Sequence, residues 1–206
     1  MGACIKSKVK KIIFSSTGGA LYGESKIIPT PEDSDKKPES PYGIAKLTVE
    51  NYIKFYKEIY NLDYTILRYG NVYGPKQNAK GEAGVIAIFI NNILKNKPIV
   101  IFGDGNQTRD YIYVKDVAKA NVLAIKHSGI FNVGTSKETS VNNLVDMLNK
   151  VVNKKSTVER VKGIKGEIQK SCLDNSRIKS KGWNQEYDLD KGIKETFNFF
   201  QIHKNL

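Results

Sequence analysis

Residues 40–46 read SPYGIAK, and they begin an amphipathic helix that lies between two short apolar strands. Ser40 is a suitable N-cap and Pro41 suits the first helical turn, so both residues predict that the helix begins here. The stretch VKKIIF at 9–14 precedes this helix and YTILR at 64–68 follows it, and both are typical of buried strands. Strand, helix and strand in this order indicate an α/β fold with a parallel sheet.

The rest of the chain continues to alternate helices and strands. We predict a helix at 84–96, two helices capped by Asp116 and Ser140, and a final helix whose apolar face contains Ile193, Phe197 and Phe200. Strands are predicted at 98–102, 111–114 and 130–134. No internal repeat interrupts this order, so the whole chain is predicted to be of the α/β class.

The composition is that of an ordinary globular protein of 206 residues, 40% hydrophobic and 26% charged. The formal net charge of +12 comes from lysines spread along the chain, which predicts a solvated basic surface and no nucleic-acid partner. Cys4 and Cys172 have neither metal-binding nor redox spacing, and no apolar run reaches about 18 residues. We therefore expect a cytoplasmic protein with reduced thiols, no metal site and no membrane partner.

Tyr42 and Lys46 are four residues apart, so a helix places their side chains on one face. A free tyrosine loses its proton only near about pH 10, and a nearby ammonium group favours the phenolate. A hydroxyl such as that of Thr17 can bind a substrate oxygen and pass its proton to the phenolate, while hydride leaves to a nicotinamide cofactor. The spacing alone is common, and elsewhere it usually marks a packed tyrosine beside a solvated lysine.

Several motifs together resemble the extended short-chain dehydrogenase/reductase family, which includes the NAD-dependent epimerases and dehydratases. They are FSST at 14–17, LYG at 21–23, SPY at 40–42, Lys46, LRYGNVYGP at 67–75, RDYIYV at 109–114, DVA at 116–118 and FNVG at 131–134. The resemblance covers almost the whole chain and is strongest to the 4-epimerases of UDP-hexoses. It implies the C-terminal part of a Rossmann-like doubly wound sheet at 1–75 and a smaller α/β substrate-binding domain at 76–206. Segments near 111–135 are expected to return to the first domain.

The resemblance also implies NAD as the cofactor and a nucleotide sugar, such as a UDP-hexose, as the substrate. Tyr42 would be the base, Lys46 would bind the nicotinamide ribose, and Thr17 would assist at the sugar hydroxyl. Further contacts implied in the same way are Ser15 and Tyr69 to the cofactor, and Asn71, Val85, Val100, Phe102, Arg109, Glu167 and Ser171 to the nucleotide sugar. In the alternative, Val85, Val100 and Phe102 would pack in the core instead of binding the nucleotide sugar. The alternative for Arg109 is a surface ion pair with Asp110 or another neighbour.

The stretch Gly18-Gly19-Ala20 helps to choose among the reactions of the family. The 4,6-dehydratases that the chain resembles place an Asp-Glu pair after the threonine, and the decarboxylases carry a nearby Glu, whereas this stretch offers neither acid nor base. We therefore expect 4-epimerisation through transient oxidation of the sugar C4, with a dehydratase, decarboxylase or reductase as the alternative. A turn with positive φ is the structural alternative for the two glycines. The small Ser171 resembles a position associated with acceptance of N-acetylated hexosamines.

Two features depart from the family pattern. Ile164 stands where the family usually has an arginine that binds the diphosphate, and Lys162 or Lys165 would replace it only as a point charge. No G-x-x-G-x-x-G stretch is present, so the chain resembles the C-terminal two-thirds of an epimerase, truncated at its N-terminus.

This second departure generates three hypotheses about the chain as a whole. The first is an active epimerase whose missing glycine-rich half comes from a separate polypeptide or was lost from this sequence. Its expected protein partner is a second copy in a homodimer or the complementing N-terminal half. The second is a remnant that binds nucleotide sugars without catalysis, and the third is a basic binding module that keeps only the core of the fold. The chain by itself is predicted neither to retain NAD nor to epimerise UDP-glucose.

Overall fold

The computed structural model describes residues 1–79, 84–153 and 155–203. The helices are α1 Gly2–Lys6, α2 Gly19–Tyr22, α3 Pro41–Tyr60, α4 Val85–Leu94, α5 Val114–Ala124, α6 Val141–Val152, α7 Ser176–Lys179 and α8 Leu189–Ile202. The strands are β1 Lys11–Thr17, β2 Asp63–Tyr69, β3 Asn71–Tyr73, β4 Ile99–Phe102, β5 Thr108–Arg109, β6 Tyr111–Tyr113, β7 Gly129–Val133, β8 Thr139–Ser140 and β9 Val158–Val161. No helix within the described ranges is both long enough and apolar enough to cross a membrane.

The main sheet is parallel and has the strand order β1-β2-β7. Thr17 at the end of β1 lies opposite Tyr69 at the end of β2, and Tyr69 lies opposite Val133 of β7. Smaller parallel pairs join β3 to β6 and β4 to β9, while β5 and β8 are antiparallel. The predicted α/β class with a parallel sheet is confirmed, and the carboxyl ends of its strands meet at one edge.

Two apolar clusters form most of the core. One lies between α4, α6, α8 and the strands β4 and β6, and its fully buried members include Ile90, Ile99, Leu144, Leu148 and Ile193. The other packs α5 against β2 and β7, and its buried members include Leu67, Ala120, Val133 and Trp183. Every helix in these clusters buries one face, as the 3.6-residue period of its apolar positions predicts.

The helix α3 begins and ends with local signals that the sequence already contains. The Ser40 hydroxyl accepts the backbone N–H of Gly43 at 3.1 Å, and Asn61 closes the helix in the left-handed conformation. A Cβ added at Gly43 would lie 2.2 Å from the carbonyl oxygen of Ala20. The first turn of α3 therefore packs directly on the backbone of α2, which leaves no room for a side chain there.

A buried ion pair fixes the middle of α3 against the sheet. Glu50 of α3 and Arg68 of β2 are fully buried, with Arg68 Nε 3.0 Å from Glu50 Oε1 and Arg68 Nη2 2.6 Å from Glu50 Oε2. The Ser16 hydroxyl donates to Glu50 Oε1 at 2.7 Å. Arg68 Nη1 donates to the Tyr22 hydroxyl at 2.8 Å and to the Glu32 carbonyl at 2.9 Å. Because these partners satisfy both charged groups, the pair holds α3 at a defined position over β1 and β2.

The predicted role of Asp116 as a helix cap is wrong. The helix α5 begins earlier, at Val114, and Asp116 lies fully buried in its first turn. Its carboxylate accepts the backbone N–H groups of Glu186 at 3.0 Å and Tyr187 at 3.1 Å. Asp116 therefore anchors the segment that precedes α8, a contact between residues about 70 positions apart that local sequence cannot reveal.

The substitution Glu50→Gln should lower the free energy of unfolding by about 3–5 kcal/mol, because it leaves the Arg68 guanidinium buried without a counter-ion. Urea denaturation measures this change. The matched control is Asp35→Asn, whose pair with Lys37 is exposed at the surface and should leave the stability unchanged within error. A loss of less than about 1 kcal/mol in Glu50→Gln would contradict the role given to the pair.

Candidate active site

A cleft of about 490 Å³ opens at the carboxyl ends of β1 and β2, between α3 and the segments around Arg109 and Ser171. Seven of the residues predicted for the site line it: Thr17, Tyr42, Tyr69, Asn71, Val85, Arg109 and Ser171. The strand order explains the position, because ligands of open parallel sheets bind beyond the carboxyl ends of the strands.

The predicted catalytic side chains lie at the end of β1 and in the first turns of α3. Tyr42 is 55% exposed, and Lys46 Nζ lies 5.7 Å from the centre of its ring. Lys46 also donates to the carbonyl oxygen of Ser15 at 2.8 Å, so it lies behind the cleft rather than along its wall. This contact joins α3 to the edge of β1 and keeps the ammonium group on the same side of the helix as Tyr42.

A chain of hydroxyl groups continues from Ser15. Its Oγ lies 3.1 Å from the Tyr69 hydroxyl, which accepts a hydrogen bond from Asn121 Nδ2 at 2.8 Å. With Tyr42 and Lys46, these groups could hold the amide and the ribose hydroxyls of a nicotinamide nucleotide. They fit that half of NAD, whereas the sequence contains no G-x-x-G-x-x-G turn for its pyrophosphate. The described residues bring together no cluster of His, Cys, Asp or Glu that could hold a metal ion.

On the opposite side of the cleft, Arg109 forms an ion pair with Glu167, with Nη2 3.1 Å from Oε1. Its Nη1 donates to the Thr108 carbonyl at 2.8 Å, and Asp110, the alternative partner, does not contact it in the described structure. Glu167 does not line the cleft, and its carboxylate accepts a hydrogen bond from Arg109 Nη2. The guanidinium keeps further N–H groups available, since only some of its five donors are used.

The predicted apolar contacts divide into two groups. Val85 lines the cleft and packs against the core around α4. Val100 and Phe102 do not line it, because alternate residues of β4 face opposite sides and Ile99 and Ile101 are the ones that enter the core. Phe102 is 44% exposed, so core packing does not explain this residue.

The structural alternative for Gly18 and Gly19, a turn with positive φ, is wrong. Gly18 has a φ of −87° and precedes α2, which begins at Gly19. Space explains the glycines instead, since an added Cβ would lie 2.5 Å from the Leu173 side chain at Gly18 and 2.5 Å from Ser171 Oγ at Gly19. The segment that carries Ser171 therefore lies directly against the end of β1.

Among the cleft residues that received no role from the sequence, two have a buried polar atom without a described partner. Tyr111 is only 4% exposed, its hydroxyl has no hydrogen-bond partner among the described residues, and burial raises its pKa to about 12. Gln77 Oε1 is buried beside the cleft and is also without a described partner. Unpaired buried polar atoms are costly, so both indicate a place for a polar ligand. The spacing of Arg109 and Tyr111, two residues apart in an extended segment, was the signal that could have revealed Tyr111.

Comparison with known proteins gives a consistent result. The model of the NAD dependent epimerase/dehydratase family matches residues 1–134. A putative UDP-glucose 4-epimerase of Methanocaldococcus jannaschii is 48% identical over 197 residues, which are 95% of this chain and 65% of that protein. The chain thus spans about two thirds of the length of this relative.

Solved structures show the same similarity. A UDP-glucose 4-epimerase of Thermotoga maritima, crystallised with UDP-glucose, has a TM-score of 0.96 and 45% identity, covering 99% of this chain and 67% of its own. A UDP-N-acetylglucosamine 4-epimerase of Methanobrevibacter ruminantium, in complex with UDP-N-acetylmuramic acid, has a TM-score of 0.92 and 38% identity, covering 96% and 65%.

The substitution Gly43→Ala should destabilise the chain by about 1–3 kcal/mol, because the new Cβ would force α3 away from Ala20. Alanine is otherwise the better helix former by about 1 kcal/mol, so a purely local effect would have the opposite sign. Urea denaturation distinguishes the two. The control is Gly2→Ala in α1, where nothing lies within 4 Å of the new Cβ and no loss is expected. A Gly43→Ala chain as stable as the wild type would contradict the contact.

Proposed function

The chain belongs to the NAD-dependent epimerase/dehydratase family, and from that premise we propose that it carries the sugar-binding and proton-transfer residues of a nucleotide-sugar 4-epimerase. The proposed substrates are UDP-glucose and UDP-galactose. The observation that carries this proposal is that one cleft has Thr17 and Tyr42 on one side and Arg109 on the other. The similarity to a Thermotoga maritima epimerase crystallised with UDP-glucose supports the choice of ligand.

In this proposal the diphosphate of the substrate lies along the wall formed by Arg109, Asn71 and Tyr111. The ion pair with Glu167 already restricts the Arg109 side chain. Its remaining N–H groups can therefore bind phosphate oxygens with little further loss of side-chain entropy. The Tyr111 hydroxyl, which has no described protein partner, gains a hydrogen bond when an anionic oxygen arrives. A ligand that accepts this hydrogen bond should therefore bind more tightly than one that leaves the buried hydroxyl without a partner.

The sugar would lie between Tyr42 and Ser171, with its C4 hydroxyl towards Thr17. Thr17 shares the hydroxyl proton and Tyr42 accepts it, and the Lys46 ammonium lies 5.7 Å from the centre of the Tyr42 ring. NAD, when bound, accepts hydride from C4 and returns it. No further acid or base is needed for epimerisation, and Gly18-Gly19-Ala20 supplies none at the end of β1.

Acceptance of N-acetylated sugars is part of the same proposal. Ser171 lines the cleft beside Gly19, and a serine there occupies little of the space that an acetamido group would need. The similarity to a UDP-N-acetylglucosamine 4-epimerase of Methanobrevibacter ruminantium supports this extension.

We propose further that a second polypeptide covers the apolar surface of α3 and the free edge of β1. Tyr52, Phe55, Ile59 and Tyr60 are each at least half exposed on α3, and β1 has β2 as its neighbour at one edge only in the described sheet. Exposed aromatic surface and unpaired strand edges are typical of contact sites. A second copy of the chain and a polypeptide with the glycine-rich half both fit. The unpaired Cys4 and Cys172 support a cytoplasmic location.

The substitution Tyr42→Phe should lower turnover of UDP-glucose by about 10²–10⁴-fold, because it removes the proton acceptor and leaves the ring. Turnover is measured with added NAD and with a second polypeptide that supplies the glycine-rich half of the family. Tyr187→Phe is the control, because Tyr187 lies neither in the cleft nor on α3 and its hydroxyl accepts a hydrogen bond from Lys115 at 3.3 Å. Its activity should stay within about twofold of the wild type.

Full activity in Tyr42→Phe would contradict the assignment of Tyr42. An inactive wild-type mixture that still binds UDP-glucose would instead favour a chain that binds nucleotide sugars without catalysis.

A further inference from the structure

Asp110 lies between two cleft residues, Arg109 and Tyr111, but its own side chain is fully buried behind the cleft. Every partner that the described structure gives its carboxylate is an N–H, O–H or S–H group rather than a cation. Burial raises the pKa of this carboxyl group, and the hydrogen bonds that it accepts act in the opposite direction. A buried acid without a counter-ion is costly, so its partners must be held closely around it.

The two carboxylate oxygens join two separate segments. Oδ1 accepts the backbone N–H and the hydroxyl of Thr135, both at 2.7 Å. Oδ2 accepts the backbone N–H of Leu173 at 3.2 Å and that of Ser136 at 3.3 Å. The Ser136 hydroxyl in turn donates to the Leu173 carbonyl at 2.9 Å, which closes a ring of hydrogen bonds around Asp110.

The segment held in this way carries a wall of the cleft. The Ser171 N–H donates to the Thr108 carbonyl at 3.2 Å, so residues 171–173 run beside the strand that contains Arg109. Ser171 Oγ would be 2.5 Å from a Cβ at Gly19, which shows how closely this wall approaches the end of β1. The backbone of Asp110 itself holds the next cleft residue, since the Asn71 N–H donates to its carbonyl at 2.7 Å.

From these contacts we infer that Asp110 is a positioning residue that sets the width of the sugar end of the cleft. Its carboxylate ties residues 171–173 to the Arg109–Tyr111 strand, and this tie fixes the separation of Ser171 from Gly19. Asp110 contacts no ligand and acts through Ser171. Only the identity of the ligand rests on the proposed function, because the positioning is a property of the free chain.

The first arm of the test needs no ligand. It measures hydrogen exchange of the Ser171 amide by NMR in the Asp110→Asn chain. Asparagine keeps the shape of aspartate but turns an NH₂ group towards N–H donors. The Ser171 amide bonds to Thr108 and not to Asp110, so faster exchange there reports movement of the segment and not merely a lost bond. We expect exchange at least about tenfold faster, which corresponds to about 1.4 kcal/mol in the local opening equilibrium.

The matched control is Asp116→Asn. Asp116 is also a fully buried carboxylate that accepts two backbone N–H groups, but it does not line or approach the cleft segment 171–173. The Asp116→Asn chain should also be destabilised. After the contribution of global unfolding is subtracted, its Ser171 amide should exchange at the wild-type rate. If exchange of the Ser171 amide accelerates equally in both variants, Asp110 only stabilises the fold in general, and the inference is overturned.

The second arm measures dissociation constants of UDP, UDP-glucose and UDP-N-acetylglucosamine by calorimetry. Asp110→Asn should change the ratio of the two UDP-sugar constants at least fivefold and leave the constant for UDP within about threefold, since Arg109 keeps its bonds to Glu167 and Thr108. Asp116→Asn should leave the ratio unchanged. An unchanged ratio in Asp110→Asn overturns the inference. A wild-type chain that binds neither UDP nor either UDP-sugar overturns the proposed function, and the hydrogen-exchange measurement then decides the positioning role of Asp110.

If Asp110→Asn does not fold, Thr135→Val takes its place. Valine has the shape of threonine and removes one hydroxyl donor from Asp110 Oδ1 while it keeps the backbone N–H. A smaller acceleration at Ser171 in the same direction supports the inference. Wild-type exchange at Ser171 overturns it.

Discussion

The buried pair of Glu50 and Arg68 is the constraint on which the candidate site depends. Removing two charges from water is unfavourable, and here a bidentate contact offsets the cost, together with a hydrogen bond that Ser16 donates to Glu50 and one that Tyr22 accepts from Arg68. The geometry that satisfies these groups allows α3 little freedom to rotate or slide over β1 and β2. Tyr42, two turns before Glu50 on the same helix, is therefore presented at the carboxyl end of β1.

The far wall of the cleft depends on the same kind of interaction with different partners. Asp110 is a second buried carboxylate, but its charge is met by backbone N–H groups and hydroxyls instead of a guanidinium. One acid thus fixes the helix with Tyr42, and the other fixes the segment with Ser171. Between them the cleft keeps its shape without a ligand, as binding with little loss of side-chain entropy requires.

The sequence predicted features that depend on local periodicity and missed those that depend on distant contacts. The start of α3 followed from Ser40 and Pro41, and the parallel sheet followed from the order of strands and helices. The family motifs placed seven residues in the cleft. Asp116 was wrongly predicted to be a helix cap and Tyr111 was given no role, because burial and partners far along the chain decide what these residues do.

The most direct test of the account is an NMR titration of the chain, with carbon-13 in its tyrosine rings, by UDP-glucose. A UDP-sugar site in the cleft predicts saturable shifts of Tyr42 and Tyr111, which line it, and none of Tyr52 and Tyr60, which are exposed on α3 and do not line it. Saturable shifts confined to Tyr52 and Tyr60, or no saturable shift at all, would contradict a UDP-sugar site between Tyr42 and Arg109.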